Sequence, residues 1–344
     1  MSTPQPNPLP IAIYYEQPHW FKPLFAELAR RGTPYVALSA VDHTWSPADH
    51  PEETFSLVLN KMSPSAWNRG HGDQIFYTLG FLEHLEARGV RVINGTQAYR
   101  SELSKASQLT LLDTLNLGYP RAVIIHRASA APAAAEPLRF PVVVKPNIGG
   151  SGAGVKRFDT PSQLEFAANL DPTHEDAITL GLDATGLVQE FIPARDASII
   201  RCEVLNGRFL YAIRIGITGD TFDLCPADIC RTPVGTQLQR SACSIDTLAD
   251  EAKAKLSVEA FTPPPDAIAD VERIMAATGI ELGGIEYMVD DRDGQRLYYD
   301  INALSNFVAD GPTVLGFDPF SRLADWLEAE AAGTATPQPP LVTV

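Results

Sequence analysis

The stretch with the most chemical content runs from Val142 to Arg157, where Gly149, Gly150, Gly152 and Gly154 surround Ser151 behind Val142-Val143-Val144-Lys145. Glycines lack a Cβ, so their backbone N–H groups can approach an anion closely. A Walker A loop would end in Gly-Lys-Ser/Thr, but Gly154 is followed by Val155-Lys156-Arg157. A dinucleotide fingerprint needs GxGxxG leading into a helix; from Gly150 the string is GxGxG, and an extended segment follows. What remains is a glycine-rich loop joining two antiparallel strands, able to close like a lid over a triphosphate. The competing reading is a plain surface turn. Lys145 favours the first, because a cation behind three valines is partly buried and requires an anion partner.

A second set lies near the end of the chain. Glu286 and Asp300 fall on adjacent strands of an expected hairpin, and Asp300 and Asn302, two apart, share one sheet face. Two carboxylates and an amide oxygen are hard ligands of the kind Mg²⁺ (or Mn²⁺) takes alongside phosphate oxygens. Asp290, Asp291 and Asp293 read instead as a solvated turn. Arg201 and Arg214 lie on the two strands flanking Asn206-Gly207. An arginine fork there suits a substrate carboxylate, and an ion pair of Arg201 with Glu203 is the structural alternative. No Ser/His/Asp or Cys/His set is evident, and the 7 histidines are scattered.

The 344 residues carry 27 basic and 42 acidic side chains, a formal charge of −15. That balance argues against nucleic-acid and anionic-membrane partners, which would repel the protein at long range. It leaves room for a phosphorylated small molecule met by local cations. No apolar run reaches about 18 residues, so no spanning helix is expected. The opening MSTPQPNPLP has neither a basic nor an apolar region of a secretory signal. Cys202, Cys225, Cys230 and Cys243 read as reduced thiols of a cytoplasmic protein, and the Cys225–Cys230 spacing does not match a zinc knuckle.

These groups need elements to position them. Ile11–Tyr15, Tyr35–Leu38, Phe55–Leu59 and Val90–Ile93 read as strands, with amphipathic helices over Trp20–Arg31 and Gln74–Arg88 between them. Strand, helix, strand at this spacing gives a parallel sheet. A second unit starts at Ser101. It has a helix over Lys105–Leu117 closed by Gly118, a strand at Arg121–His126, a connecting Ala/Pro stretch (Ala128–Pro137), the strand ending at Lys145, an extended Val155–Phe158 and a short helix opened by Thr160. Further strands are expected over Gly186–Ile192, Ser198–Leu205 and Arg208–Ile217, then helices near 247–256 and 264–278, the hairpin Gly284–Asp290 with Gln295–Ile301, and a helix over Pro319–Ala331. The substrate pocket is expected to draw on Asn60–Ser63, Trp67–Arg69 and Gly219–Asp246, without assigned roles.

Taken in order, Lys105 at a helix start, Lys145-Pro146 before the glycine loop, Gln189-Glu190-Phe191-Ile192, and Glu286 followed by Asp300-Ile301-Asn302 resemble the ATP-grasp ligases, most of all the ribosomal-protein glutamate ligases and related RimK-like amino-acid ligases. The resemblance covers roughly Ser101 to Glu328. It implies an α/β fold, α+β toward the C-terminus: a parallel α/β domain over 11–100, a small subdomain over 101–190 with the glycine loop, and a subdomain over 191–332 with the metal site. ATP would lie between the last two, and 1–10 and 333–344 would be flexible tails. It further implies that Lys105 and Lys145 contact ATP phosphates beside Gly149, Gly150, Ser151, Gly152 and Gly154. Gln189, Glu190, Phe191 and Ile192 would form the adenine hinge, the backbone at Glu190 and Ile192 pairing with the adenine edge and Glu190 accepting from the exocyclic amine, and Asp196 would meet the ribose. Glu286, Asp300 and Asn302 would hold Mg²⁺, with Arg201 near the acceptor end. Two departures stand out. The family more often has Glu where Asp300 stands, and Ala303-Leu304-Ser305-Asn306-Phe307 replaces the familiar Asn-x-x-Pro-Gly ending. The implied activity is ATP-dependent joining of a carboxylate to an amine through an acyl phosphate, on a small molecule or peptide, in a monomer or homo-oligomer. A thiol or phosphoryl acceptor, or a nucleotide-binding module without turnover, are the alternatives.

Overall fold

A computed structural model describes residues 8–217 and 257–335. The expected features at Cys225, Cys230, Cys243, Gly219–Asp246 and 247–256 lie outside the described residues.

The N-terminal strands β1 (Ile11–Tyr15), β2 (Tyr35–Ser39), β3 (Leu57–Lys61) and β4 (Val92–Ile93) form a parallel sheet in the order β2-β1-β3-β4. β1 is buried along its whole length because both faces are covered. Ile11 and Ile13 pack with Leu24 and Leu28 of helix α1 (Lys22–Arg31), while Ala12 and Tyr14 pack with Ile75 and Leu82 of α2 (Gly72–Ala87). Strand β3 starts two residues later than the sequence suggests, because Phe55 donates its N–H to Pro51 O at 2.9 Å and stays in the preceding turn. That shift draws Asn60 and Lys61 into the strand, and both are buried.

Two helices follow, α3 (Thr96–Glu102), unanticipated from sequence, and α4 (Lys105–Thr114), whose N-cap Ser104 accepts from Ser107 N. The second sheet has the order β5-β8-β6-β7, all antiparallel: β5 (Ala122–Ile125), β8 (Gly186–Glu190), β6 (Val142–Pro146) and β7 (Lys156–Phe158). Its outer face packs on α5 (Ala131–Ala135) and α6 (Pro161–Ala168), burying Val142, Val144, Val188 and Leu164 in a core of its own. The Ala/Pro stretch is thus helical in part, because alanine favours helix and Pro132 sits where a helix tolerates it. Thr160 and Gln163 form a full capping box at the start of α6.

The third sheet is antiparallel in the order β11-β10-β9-β12-β13: β9 (Ser198–Leu205), β10 (Arg208–Gly216), β11 (Val258–Phe261), β12 (Leu282–Val289) and β13 (Arg296–Asn302). Asn206 and Gly207 turn the first hairpin with φ of 54° and 68°, the left-handed region this turn requires. Helices α7 (Pro265–Thr278), α8 (Gly311–Leu315) and α9 (Pro319–Ala331) complete the fold. Ile199, Ile213 and Leu282 of this sheet share one hydrophobic core with Ile11, Leu24 and Leu327, so the first and third sheets are cemented together. The second sheet keeps its own core around Val142, Val144 and Val188, while Leu187 of β8 packs into a core with Ile200 and Ile285 of the third sheet.

Gly118 does not cap α4, as its sequence position suggests. The helix closes at Leu115, and the left-handed residue is Asn116, φ 54°. Gly118 instead lies against β13, accepting from Tyr298 N at 2.9 Å, and a Cβ there would sit 2.4 Å from Arg296 O. Gly118→Ala should therefore cost about 1–3 kcal/mol of unfolding free energy in denaturant titrations. An unchanged midpoint would contradict this packing.

Candidate active site

A cavity of about 910 Å³ opens between the second and third sheets, with the first domain as its third wall. Its floor is the β12–β13 hairpin, where register pairs Glu286 directly with Asp300 and sets Arg201 of β9 beside Glu286. Asn302 Nδ2 donates to Asp300 Oδ2 at 3.0 Å, and Lys105, at the start of α4, forms an ion pair with Asp300 Oδ1. Tyr299 OH donates to Glu286 Oε2 at 2.6 Å, and Arg201 Nη1 reaches Glu286 Oε1 at 3.3 Å. Burial pushes the Asp300 carboxyl up, but the Lys105 and Lys145 cations and the Asn302 bond outweigh it and leave the group below the usual range. Glu286 goes the other way: burial raises it, and Arg201 opposes this only in part.

The roof is the glycine loop. β6 and β7 are antiparallel neighbours, so the loop joins two such strands, as the sequence suggests. Gly149, Gly150, Ser151 and Gly152 border the cavity. Ser151 and Gly152 have φ of 53° and 69°. Gly150 is pressed against the first domain: a Cβ there would lie 2.9 Å from Ser65 Cβ. Lys145 lies beneath, buried to 7% exposure, on the β6 face that it shares with Val143. Among the described residues no carboxylate oxygen lies within 4.0 Å of its ammonium, and burial pulls its pKa down to about 7. A buried cation without a counterion is a site prepared for an anion.

Gln189, Glu190, Phe191 and Ile192, expected as an adenine hinge through the backbone, all border the cavity. Strand alternation turns the Glu190 carboxylate to the face of Val142 and Val188, where Oε1 accepts from Arg139 N at 3.0 Å and Arg121 Nη1 at 3.3 Å. Gln189 shares the cavity face with Val143 and Lys145, and its buried Oε1 has no hydrogen-bond partner. It is the side-chain acceptor available to an exocyclic amine.

Three expectations are corrected. Arg214 pairs in register with Ile200, not Arg201, so its side chain lies on the opposite sheet face, on Glu259 (3.3 Å) and the Phe261 ring (4.6 Å). Asp196 is exposed in a left-handed turn, φ 55°, outside the cavity lining. Gly154 likewise stays outside, turning the loop at φ 73° against Pro146. Arg201 combines both readings: its Nε donates to Glu203 Oε1 at 2.7 Å while the residue borders the cavity.

Sequence reasoning missed several lining residues. Trp20 and Ser65 come from the N-terminal part, where Ser63, Asn68 and Arg69 of the expected Asn60–Ser63 and Trp67–Arg69 do border the cavity. Arg157 crosses from β7 to stack on Phe191, 4.3 Å from the ring. Glu102 has no sequence signal at all, because only the unanticipated α3 delivers it to the cavity.

The donor set fits a hard divalent cation on limited terms. Among the described residues no three His, Cys, Asp or Glu side chains converge. Glu286, Asp300 and the Asn302 amide supply a partial shell that phosphate oxygens and water would complete. In their absence Lys105 neutralises Asp300.

No family model matches the chain. A solved RimK domain protein of ATP-grasp type from Sphaerobacter thermophilus superposes with a TM-score of 0.62 at 18% identity, covering 92% of this chain and 98% of that one. The ATP-grasp ligase PsnB, solved with a phosphomimetic precursor, Mg and ADP, gives 0.63 at 17%, covering 94% and 100%. The chain has the ATP-grasp fold. In sequence it is similar to the RimK-like branch: a probable alpha-L-glutamate ligase of Teredinibacter turnerae is 29% identical over 140 residues, 40% of this chain and 44% of that protein. The match thus spans less than half the length of that relative. No helix among the described residues is long and apolar enough to cross a membrane.

Proposed function

We propose that this ATP-grasp chain joins a carboxylate to an amine at the expense of ATP, releasing ADP and phosphate, with an amino acid or peptide among its substrates. The observation that carries the reading is Lys145, a buried, unpaired ammonium facing two carboxylates across a cavity roofed by glycines. The adenine would lie at Gln189–Ile192 and the polyphosphate under Gly149–Gly152, between Lys145 and Lys105. Asp300 would exchange its ion pair with Lys105 for a divalent cation shared with Glu286 and Asn302. When bound, that cation neutralises charge on the phosphate oxygens. Arg201, already oriented by Glu203 and Ser305 (2.7 and 2.5 Å), presents its guanidinium to the substrate carboxylate. The carboxylate oxygen attacks the γ-phosphorus, the bond to the ADP oxygen breaks, and an amine displaces phosphate from the acyl phosphate. Orientation and charge neutralisation carry most of the barrier reduction, and little side-chain acid–base chemistry is needed. The glutamate ligases it resembles in sequence support the amide-forming outcome.

An ADP-release screen over amino acids and peptides, followed by mass analysis, tests this. Amide product with stoichiometric ADP is expected. A phosphorylated product, or tight ATP binding without ADP under every condition, would overturn it.

A further inference from the structure

The three acidic side chains that border the cavity floor are held in different ways. Glu286 meets Arg201 and Tyr299, and Asp300 meets Lys105 and Asn302. Glu102, the last residue of α3, is buried to 7% exposure and borders the same cavity. Its two oxygens share one donor, the Leu304 N–H at 3.1 and 3.2 Å. Among the described residues no Lys, Arg or His nitrogen comes within 4.0 Å of it. Lys61 and Lys105 act on it only through space, the buried Lys61 Nζ being held by Ser305 O at 2.9 Å.

An ionised carboxylate offers about four acceptor positions, and one N–H leaves most of them open. Burying it without a cation is costly, and burial pushes its pKa up to about 8. Glu102 is therefore the mirror of Lys145: among the described residues neither has an opposite charge within 4.0 Å, and both border one cavity. The Lys145 deficit fits a polyphosphate, so the Glu102 deficit calls for a second, positively charged ligand. Leu304, which orients the carboxylate, belongs to the segment that departs from the family's usual ending.

We infer that Glu102 forms the subsite for the acceptor, seating it as a cationic primary amine beside the metal-binding floor and taking up its ammonium proton, so that the freed lone pair can attack the acyl phosphate. This rests on the ligase reading above and adds the acceptor's charge class: an ammonium, in preference to a neutral amide, hydroxyl or thiol.

The test compares wild type with Glu102→Gln and Glu102→Asp in the full chain. Proteinogenic amino acids serve as carboxylate substrates, and the nucleophile is either a cationic amino-acid amine or hydroxylamine, which is uncharged at neutral pH. Glu102→Gln keeps the acceptor for Leu304 N–H and should fold. Its KM for the cationic amine should rise about 10- to 100-fold, and the ratio of hydroxamate to amide product about tenfold or more. KM for ATP should move far less, and Glu102→Asp, which keeps the charge, should recover part of the loss. Equal losses with both nucleophiles, or an unmoved amine KM, would remove Glu102 from the subsite and leave the ligase reading standing. A wild type that forms no hydroxamate with any carboxylate would sink that reading, and the subsite with it.

Discussion

Asp300→Asn should reduce ATP-dependent turnover by on the order of 10³-fold while leaving measurable ATP binding. Asp300 pairs with Lys105, the proposed phosphate contact, accepts from the neighbouring Asn302 amide and is set by register opposite Glu286. Removing its charge would take away a proposed metal ligand and at once leave Lys105 without its ion-pair partner. The isosteric Asn keeps the strand intact, so the loss can be read as chemistry and not as unfolding. Asp300→Ala should do the same at larger cost to stability. The measurement is ADP release against nucleotide affinity by calorimetry. Normal ADP production by either variant would refute the metal assignment. Because the side chain is one methylene shorter than the Glu more common in the family, Asp300→Glu is an informative companion, and partial activity is its expected result.

Lys145→Met should weaken ATP binding about 10- to 100-fold, the usual worth of a charged contact that is lost. It should also leave the ATP-free fold as stable or more so, because the variant replaces a buried, unpaired ammonium with an apolar chain of similar length. Opposite signs on stability and affinity separate a functional cation from a structural one. The pH dependence has a definite direction. In the free protein the Lys145 pKa is about 7, below its ordinary 10.5, and a bound polyphosphate restores the charged form. ATP affinity is therefore full below pH about 7 and falls by about tenfold per pH unit above it, since binding must take up a proton. Over the same range the ATP-free fold gains stability, because the unfolded chain holds a proton that the folded one has released. In Lys145→Met both slopes should flatten. A wild-type ATP affinity that is level from pH 7 to 9 would show that Lys145 is not the phosphate ligand.

The sequence by itself determined what depends on local chemistry and strand period. Lys145 behind three valines, the failure of two other phosphate-loop patterns and the i, i+2 pairing of Asp300 with Asn302 are properties of short segments. Alternation in a strand fixes their faces without knowledge of the rest of the fold. Face assignment across strands was another matter. Arg201 and Arg214 look equivalent on either side of Asn206-Gly207, yet hairpin register pairs Arg201 with Ile213 and sends Arg214 to the far side. A one-residue offset reverses the face of every side chain. The same parity puts the Gln189 side chain on the sheet face of Val143 and Lys145 and the Glu190 side chain on the other. What only the tertiary structure decided is the company each group keeps. Glu102 is 198 residues before Asp300, on a helix with no clear sequence signal, and Ser65 meets Gly150 from another domain. Whether a buried charge has a partner depends on which distant segments the three sheets bring together, and that is a property of packing, not of any window of sequence.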